Sequence, residues 1–172
     1  MTEIQMDHYR LFGDDVVRFR SFQDYRFLYM YCWRKIKNKS NLTFFYKLIL
    51  KNLRKHYHIE IPYTVEIGGG FSMDHAYNIT INSRAKIGKN VTMYKGSTIG
   101  CDKTGVPIVE DSVYIGLNTT IVGGIHIKED VLIAPNSFVN FNVPADSVVV
   151  GNPGCIHRKK NATDGYLLNV VR

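Results

Sequence analysis

A six-residue period governs most of this sequence. From Ile61 to Val139 an aliphatic residue or a methionine returns every six positions, with breaks after Met73 and Ile99. The leading residues are Ile61, Ile67, Met73, Ile81, Ile87, Met93, Ile99, Val109, Ile115, Ile121, Ile127, Ile133 and Val139. A second small or apolar residue usually follows four positions later, as at Val65. A fixed short period is typical of a solenoid, in which each repeat stacks on its neighbour.

The spacing also indicates the shape of the repeat. Two inward positions in every six fit short strands that are joined by tight corners around a narrow core. Three such units close one triangular coil, so equivalent residues stack at about 4.8 Å, the distance between neighbouring strands. Glycine often follows the leading residue, as at Gly68, Gly88 and Gly116, and suits corners because it tolerates positive φ. The sequence therefore predicts a parallel β-helix.

The residues before the repeats have a different period. Apolar residues recur every three to four positions across 15–56, which predicts helices, and the turn-prone stretch Asn38–Asn41 divides them into two. We expect a helical segment over 1–58, a β-helix domain over 59–157 and a tail over 158–172. Whether the helices cap the first coil or build a contact between subunits stays open at this point.

Composition narrows the class of protein. The net charge of +7 is concentrated in residues 34–58 and in the tail, but no nucleic-acid recognition motif accompanies it. Three widely spaced cysteines indicate neither a disulfide framework nor a zinc site, so no metal is expected. No apolar run approaches the roughly 18 residues that span a bilayer. The first residues lack the features of a signal peptide, and we expect a cytoplasmic protein.

The two breaks in the repeat are the places to look for chemistry, because departures from register weaken the stacking. At the first, eight residues, from Met73 to Thr80, replace six, and the segment contains Asp74 and His75. At the second, a short polar loop over 100–108 separates two repeats.

These features resemble the serine acetyltransferase family. The resemblance rests on Glu60-Ile61-Pro62, Ile67-Gly68-Gly69-Gly70-Phe71, Met73-Asp74-His75-Ala76, Gly96-Ser97-Thr98-Ile99-Gly100 and the closing Gly151-Asn152-Pro153, and it covers about residues 57–157. It implies an all-β left-handed parallel β-helix with a small N-terminal helical segment. It also implies acetyl-CoA as co-substrate and a homotrimer with active sites between subunits.

The same resemblance assigns catalytic roles. His75 would be the general base and Glu60, fifteen positions earlier, the carboxylate that orients it, at a point where the family usually has aspartate. A hydroxyl is too weakly acidic to attack a thioester unaided, and an imidazole that takes its proton accelerates the attack by about 10²–10⁴-fold. Asp74 would either contact the acceptor or hold the irregular segment by bonds to the backbone.

Cofactor contacts follow by position. Those that match the family's pantetheine contacts are Gly100, Cys101, Leu117, Asn118, Pro135 and Asn136. Lys103 is a candidate for the acceptor, and with the tail residues Arg158, Lys159 and Lys160 it is also a candidate for the CoA phosphates. A solvated tail is the alternative.

One departure from the family bears on the acceptor. The family carries an Arg-His pair before the proline of the second loop, and its arginine holds the serine carboxylate. Here the loop contains Gly105-Val106-Pro107, so both are missing. We therefore expect the hydroxyl of a sugar in bacterial polysaccharide biosynthesis. Serine O-acetylation and a non-catalytic β-helix that serves as an assembly module are the two alternatives.

Overall fold

The computed structural model describes all 172 residues. Its helices are α1 (Glu3–Phe12), a short 3₁₀ helix (Phe19–Gln23), α2 (Tyr25–Lys37) and α3 (Thr43–Tyr57). The strands are β1 (Ile59–Glu60), β2 (Glu66–Ile67), β3 (Ser72–Asp74), β4 (Ile79–Ile81), β5 (Lys86–Ile87), β6 (Thr92–Tyr94), β7 (Thr98–Gly100), β8 (Ile108–Val109), β9 (Val113–Ile115), β10 (Thr120–Val122), β11 (His126–Ile127), β12 (Val131–Ile133), β13 (Phe138–Val139), β14 (Ser147–Val150) and β15 (Cys155–Arg158). No helix has the length and apolar character needed to cross a membrane.

The strands form three parallel sheets that are the faces of a triangular β-helix. Sheet 1 has the order β1-β4-β7-β10-β13, sheet 2 is β2-β5-β8-β11, and sheet 3 is β3-β6-β9-β12-β14, with β15 added antiparallel at the end. We name the corners by the sheets they join: corner 1–2, corner 2–3 and corner 3–1. The predicted β-helix with an N-terminal helical segment is confirmed.

The six-residue period corresponds to the stacking. In sheet 1, Ile81 pairs with Ile99, Ile99 with Ile121, and Ile121 with Val139. In sheet 3, Met73, Met93, Ile115 and Ile133 stack in the same way. All thirteen leading residues are buried in one apolar core. The sheet order thus follows directly from the sequence register.

The helical segment has one α-helix and one short 3₁₀ helix in addition to the two helices that the sequence predicts. The helices α2 and α3 flank the predicted interruption, whereas α1 lies within the predicted helical segment but before residue 15, where the helical period begins. Its start is a capping box, in which the Thr2 side chain accepts the Gln5 N–H and the Gln5 side chain accepts the Thr2 N–H. Gly13 ends it in the left-handed conformation. Both are recognisable helix signals in the sequence.

The helices cap the first coil. A solenoid that ends in open strands exposes unpaired carbonyl groups, which invite pairing with other chains. Here Arg54 donates to the carbonyl of Ile61 at 2.6 Å, Trp33 donates to that of Pro62 at 3.3 Å, and Lys37 donates to that of Val65. Part of the basic charge in residues 34–58 therefore has a structural role.

A buried ion pair fastens α1 and α2 to the same coil. Arg34 and Asp7 are each 1% exposed, and the guanidinium donates to both carboxylate oxygens at 2.9 and 3.2 Å. Arg34 also donates to the carbonyls of Ile67 and Gly68, both at 2.6 Å. Asp7 accepts the N–H of Phe71 at 3.0 Å. Burial, which outweighs the effect of Arg34, raises the pKa of Asp7 to about 6.

The C-terminal tail returns along the β-helix after β15. Asp130 accepts the N–H groups of Ala162 and Thr163 at 2.8 and 3.0 Å. Further on, the side chain of Asn90 exchanges two hydrogen bonds with the backbone of Val171, at 2.9 and 3.0 Å. Both aspartate and asparagine lie at corner 2–3, so the tail runs from a late coil back to an early one.

Candidate active site

The eight-residue segment of the first break forms an irregular corner 3–1. His75 (φ 50°) and Asn78 (φ 53°) both take the left-handed conformation, which turns the chain out from β3 and back into β4. The N–H of Asn78 donates to the carbonyl of Tyr57 at 2.9 Å, and the ring of Tyr77 lies 5.4 Å from that of His58. The corner is therefore held on the end of α3, and His75 remains exposed.

A cavity of about 280 Å³ lies beside His75. Three parts of the chain line it: coils of the β-helix, the helices and the tail. The lining residues are Arg10, Leu11, Arg26, Ser72, Asp74, His75, Thr92, Tyr94, Tyr166, Leu168 and Asn169. Most of them are polar or charged, so the cavity suits a polar molecule whose hydroxyl can approach the imidazole.

Asp74 is the centre of a hydrogen-bond network in this cavity. It accepts from Arg26 Nη1 at 3.3 Å and from Ser72 Oγ at 3.4 Å. Tyr94, which pairs with Asp74 in the register of sheet 3, has a pKa well above its usual range because of burial, the Asp74 charge and contacts with Tyr114. The phenol is therefore neutral and can donate to the carboxylate.

The tail forms one wall of the cavity through Arg10. This arginine donates to the carbonyls of Leu168 and Gly70 at 2.7 and 2.8 Å, and to Thr92 Oγ1 at 2.7 Å. Burial lowers the pKa of Arg10 to about 10, and the charge of Asp74 partly offsets this effect. At neutral pH Arg10 stays charged and joins α1, the tail and two coils.

Glu60 lies near this corner of the β-helix but forms no ion pair with His75. It is exposed on β1 and pairs with Thr80 of β4, the strand that His75 precedes. Two ion pairs involve a histidine, His8 with Asp14 and His126 with Glu110, and His75 takes part in neither. The assignment of Glu60 as the carboxylate that orients His75 stays a prediction.

Four of the predicted cofactor positions share corner 3–1 with His75. Asn118 and Asn136 are left-handed corner residues with φ of 53° and 60°. They stack, because the N–H of Asn136 donates to the carbonyl of Leu117 at 2.7 Å. Leu117 is half-buried, while Asn118, Pro135 and Asn136 are exposed. Together these corners make a line of half-buried and exposed residues that leads away from His75.

The other predicted positions lie elsewhere in the chain. Gly100, Cys101 and Lys103 are at corner 1–2, separated from His75 by the width of sheet 1. A three-residue strand spans about 10 Å. Arg158 donates to the carbonyl of Ala145 at corner 2–3, and Lys159 follows it, because β15 folds back along β14. Lys103, Arg158 and Lys159 do not line the cavity beside His75.

No group of three or more histidine, cysteine, aspartate or glutamate residues is arranged to hold a metal ion. All three cysteines are free.

Comparison with known proteins supports the resemblance noted from the sequence. No protein-family profile matches the chain. Curated relatives named serine acetyltransferase include one from Staphylococcus epidermidis, 36% identical over 113 residues (62% of this chain, 52% of the relative). Another, from Staphylococcus xylosus, is 38% identical over 104 residues (57% and 47%). The chain thus spans about half the length of these relatives.

Solved structures support the fold. The serine acetyltransferase from Brucella abortus strain S19 has a TM-score of 0.77 at 22% identity, covering 94% of this chain and 69% of the other. The Neisseria gonorrhoeae serine acetyltransferase has a TM-score of 0.76 at 22% identity, covering 92% and 66%. The fold defines a hexapeptide-repeat protein, and the named relatives to which the chain is similar are serine acetyltransferases.

Three parts of the cavity were not predicted from the sequence. Arg26 lies within a predicted helix and has no predicted role, Tyr94 lies within a repeat, and only the basic residues of the tail have a predicted role. The one available signal was the Asp24-Tyr25-Arg26 start of α2, an N-cap followed by a cation. It indicates a helix start but not the direction of the arginine.

Proposed function

We propose that this chain is an acetyl-CoA-dependent O-acetyltransferase in which His75 is the general base. The main support is the position of His75, which lies beside a polar cavity and on the same corner as Leu117, Asn118, Pro135 and Asn136. One imidazole therefore adjoins both a pocket for an acceptor and a path for a pantetheine arm. The similarity to curated serine acetyltransferases supports the same reaction.

In this proposal His75 takes the proton of the acceptor hydroxyl while the hydroxyl oxygen bonds to the thioester carbonyl carbon. Backbone N–H groups near His75 would stabilise the oxyanion that forms. When the carbon–sulfur bond breaks, the imidazolium returns the proton to the departing thiolate. The products are the acetyl ester and free CoA, and His75 is again neutral.

We propose L-serine as the acceptor, because the curated relatives to which this chain is similar are named serine acetyltransferases. A sugar hydroxyl is the second candidate, and the loop at Gly105-Val106-Pro107, which lacks the family's Arg-His pair, favours it. A neutral sugar needs no cation, whereas a free amino acid does.

A panel of acceptors tests both candidates. Release of free CoA thiol is measured with acetyl-CoA and L-serine, or with neutral and amino sugars, at equal concentration. We expect L-serine to give at least about a tenfold higher kcat/KM than any sugar, since a charged hydrogen bond to the acceptor carboxylate contributes about 1.5–3 kcal/mol. A sugar that outperforms serine would move the assignment to the second candidate. If none of these acceptors supports turnover of acetyl-CoA, the proposal is contradicted.

Glu60 is proposed to orient His75 and to stabilise the imidazolium. The change Glu60→Gln keeps the shape and removes the charge. Because a hydrogen bond to a charged group is worth about 1.5–3 kcal/mol, we expect kcat to fall about 10- to 100-fold. Glu66→Gln on β2, which removes an exposed pair with Lys86, is the matched control. Equal kcat values for the two variants would exclude this role for Glu60.

The proposal includes a homotrimer. The loop with Gly100, Cys101 and Lys103 lies at a different corner from His75, so one chain does not bring these parts together. In a side-by-side trimer, corner 1–2 of one subunit can face corner 3–1 of the next. A cytoplasmic location, where acetyl-CoA is available, belongs to the same proposal.

A further inference from the structure

The cavity beside His75 contains two arginines with different bonding. Arg10 donates from all three of its nitrogens to groups of the protein, two of them carbonyl oxygens. It is 5% exposed and joins separate parts of the fold. Arg26, in contrast, has a side chain that is 27% exposed, and its guanidinium donates hydrogen bonds only to two aspartates. Arg26 is therefore the arginine that a ligand can reach.

Arg26 has donors without a partner in the protein. Its Nε donates to Asp24 Oδ1 at 3.0 Å, its Nη2 donates to Asp24 Oδ2 at 2.6 Å, and its Nη1 donates to Asp74 at 3.3 Å. A guanidinium has five N–H groups, so two remain without a partner. Asp24 holds the edge of the guanidinium that Nε and Nη2 form, so the two N–H groups without a partner are one on Nη1 and one on Nη2. These two neighbouring nitrogens can bind a carboxylate with two parallel bonds.

The charges around Arg26 match an amino acid. The two arginines and the two aspartates, Asp24 and Asp74, have a formal charge of zero together, so a neutral zwitterion adds no unbalanced charge. Asp74 accepts from Arg26 at 3.3 Å, longer than the roughly 2.7–2.9 Å of a strong charge-assisted bond. A carboxylate has about four acceptor sites, so Asp74 can also receive an ammonium group.

We propose that Arg26 binds the carboxylate of the acceptor, and that the cavity takes a small α-amino acid with a side-chain hydroxyl. This inference rests on the proposed acetyl transfer. Arg26 then supplies from α2 the cation that the loop at Gly105-Val106-Pro107 lacks. The acceptor lies against Arg26 and Asp74, and its hydroxyl points toward His75, which lines the same cavity.

The test compares two acceptors that differ only in the carboxylate. L-serine and L-serinamide have the same hydroxyl and ammonium group, but the amide lacks the negative charge. For Arg26→Gln we expect the KM for L-serine to rise about 10- to 100-fold, the range for loss of a charged hydrogen bond. The KM for L-serinamide and the KM for acetyl-CoA are expected to change less than about threefold. The variant therefore loses its preference for the free acid.

Arg18→Gln is the matched control, because Arg18 forms an exposed pair with Asp14 in the same segment and does not line the cavity. If Arg26→Gln does not fold, Arg26→Lys retains the charge without the two-pronged geometry, and it is expected to shift the KM for L-serine alone. Equal losses with both acceptors would show a structural role for Arg26 and overturn the inference. Turnover of a sugar but not of serine by the unaltered protein would overturn it too, while acetyl transfer would stand.

Discussion

Replacement of His75 by asparagine is expected to lower kcat for acetyl transfer by about 10²- to 10⁴-fold, the contribution of a general base. Asparagine is the preferred replacement because residue 75 has φ of 50°, a conformation that asparagine tolerates and alanine does not. The amide has no basic nitrogen at neutral pH. Release of CoA thiol with saturating acceptor measures the effect.

The fold should not change with this substitution. His75 is exposed and no ion pair depends on it, so the melting temperature is expected to shift by less than about 2 °C. The KM for acetyl-CoA should also be retained, since Leu117, Asn118, Pro135 and Asn136 are unaltered. His157→Asn, an exposed histidine on β15, is the control. A His75→Asn variant that turns over at the rate of this control would exclude general-base catalysis by His75.

The β-helix was predictable because its code is local. Each leading residue, such as Ile99 or Ile121, marks a buried position, and an unchanged spacing of six keeps all coils in register. The corner that contains His75 was predictable for the converse reason, since two additional residues interrupt a regular spacing. Breaks in a strict repeat are visible in one sequence without any structural information.

The rest of the cavity was not predictable, because it depends on contacts between distant parts of the chain that have no common period. Arg26 meets Asp74 from 48 positions away, and Arg10 meets Thr92 from 82 positions away. The charge of the tail makes it a candidate for the CoA phosphates, with a solvated tail as the alternative, and neither interpretation predicts its path. Its antiparallel return along β14 depends on pairing between β14 and β15, which the hexad pattern does not encode.

The missing Arg-His pair illustrates the difference between features that the repeat pattern predicts and features that contacts between distant residues create. From the sequence its absence argued against an amino-acid acceptor. That argument assumed that the cation must come from the second loop, which lies at corner 1–2. The helix α2 brings Arg26 to the cavity at corner 3–1 instead. The absence of a motif thus excluded one source of positive charge but not the charge itself.

The second large effect is expected on stability, with Arg34→Met. Removal of one partner of a buried ion pair leaves an uncompensated charge and typically costs about 3–5 kcal/mol. Here the carboxylate of Asp7 would lose both of its bonds from the guanidinium, and the carbonyls of Ile67 and Gly68 would lose their donors. Chemical denaturation at pH 7 measures the free energy of unfolding. Because Arg34 attaches α2 to the first coil, the variant should also bind the acceptor less tightly.

The stability lost in Arg34→Met depends on pH, and the burial of Asp7 sets the direction of that dependence. The pKa of Asp7 is about 6 in the folded protein and near 3.8 when unfolded, so its contribution to stability is full below pH 4 and declines as the pH rises through 6. Without Arg34, the ionised carboxylate of Asp7 would be buried with no partner charge, so its ionisation would cost more free energy. The difference in unfolding free energy between the unaltered protein and Arg34→Met should therefore be larger at pH 8 than at pH 4.

Arg18→Met, which removes the exposed pair with Asp14, should cost less than about 1 kcal/mol. If Arg34→Met and Arg18→Met unfold at the same denaturant concentration, the buried pair does not hold the helices on the β-helix.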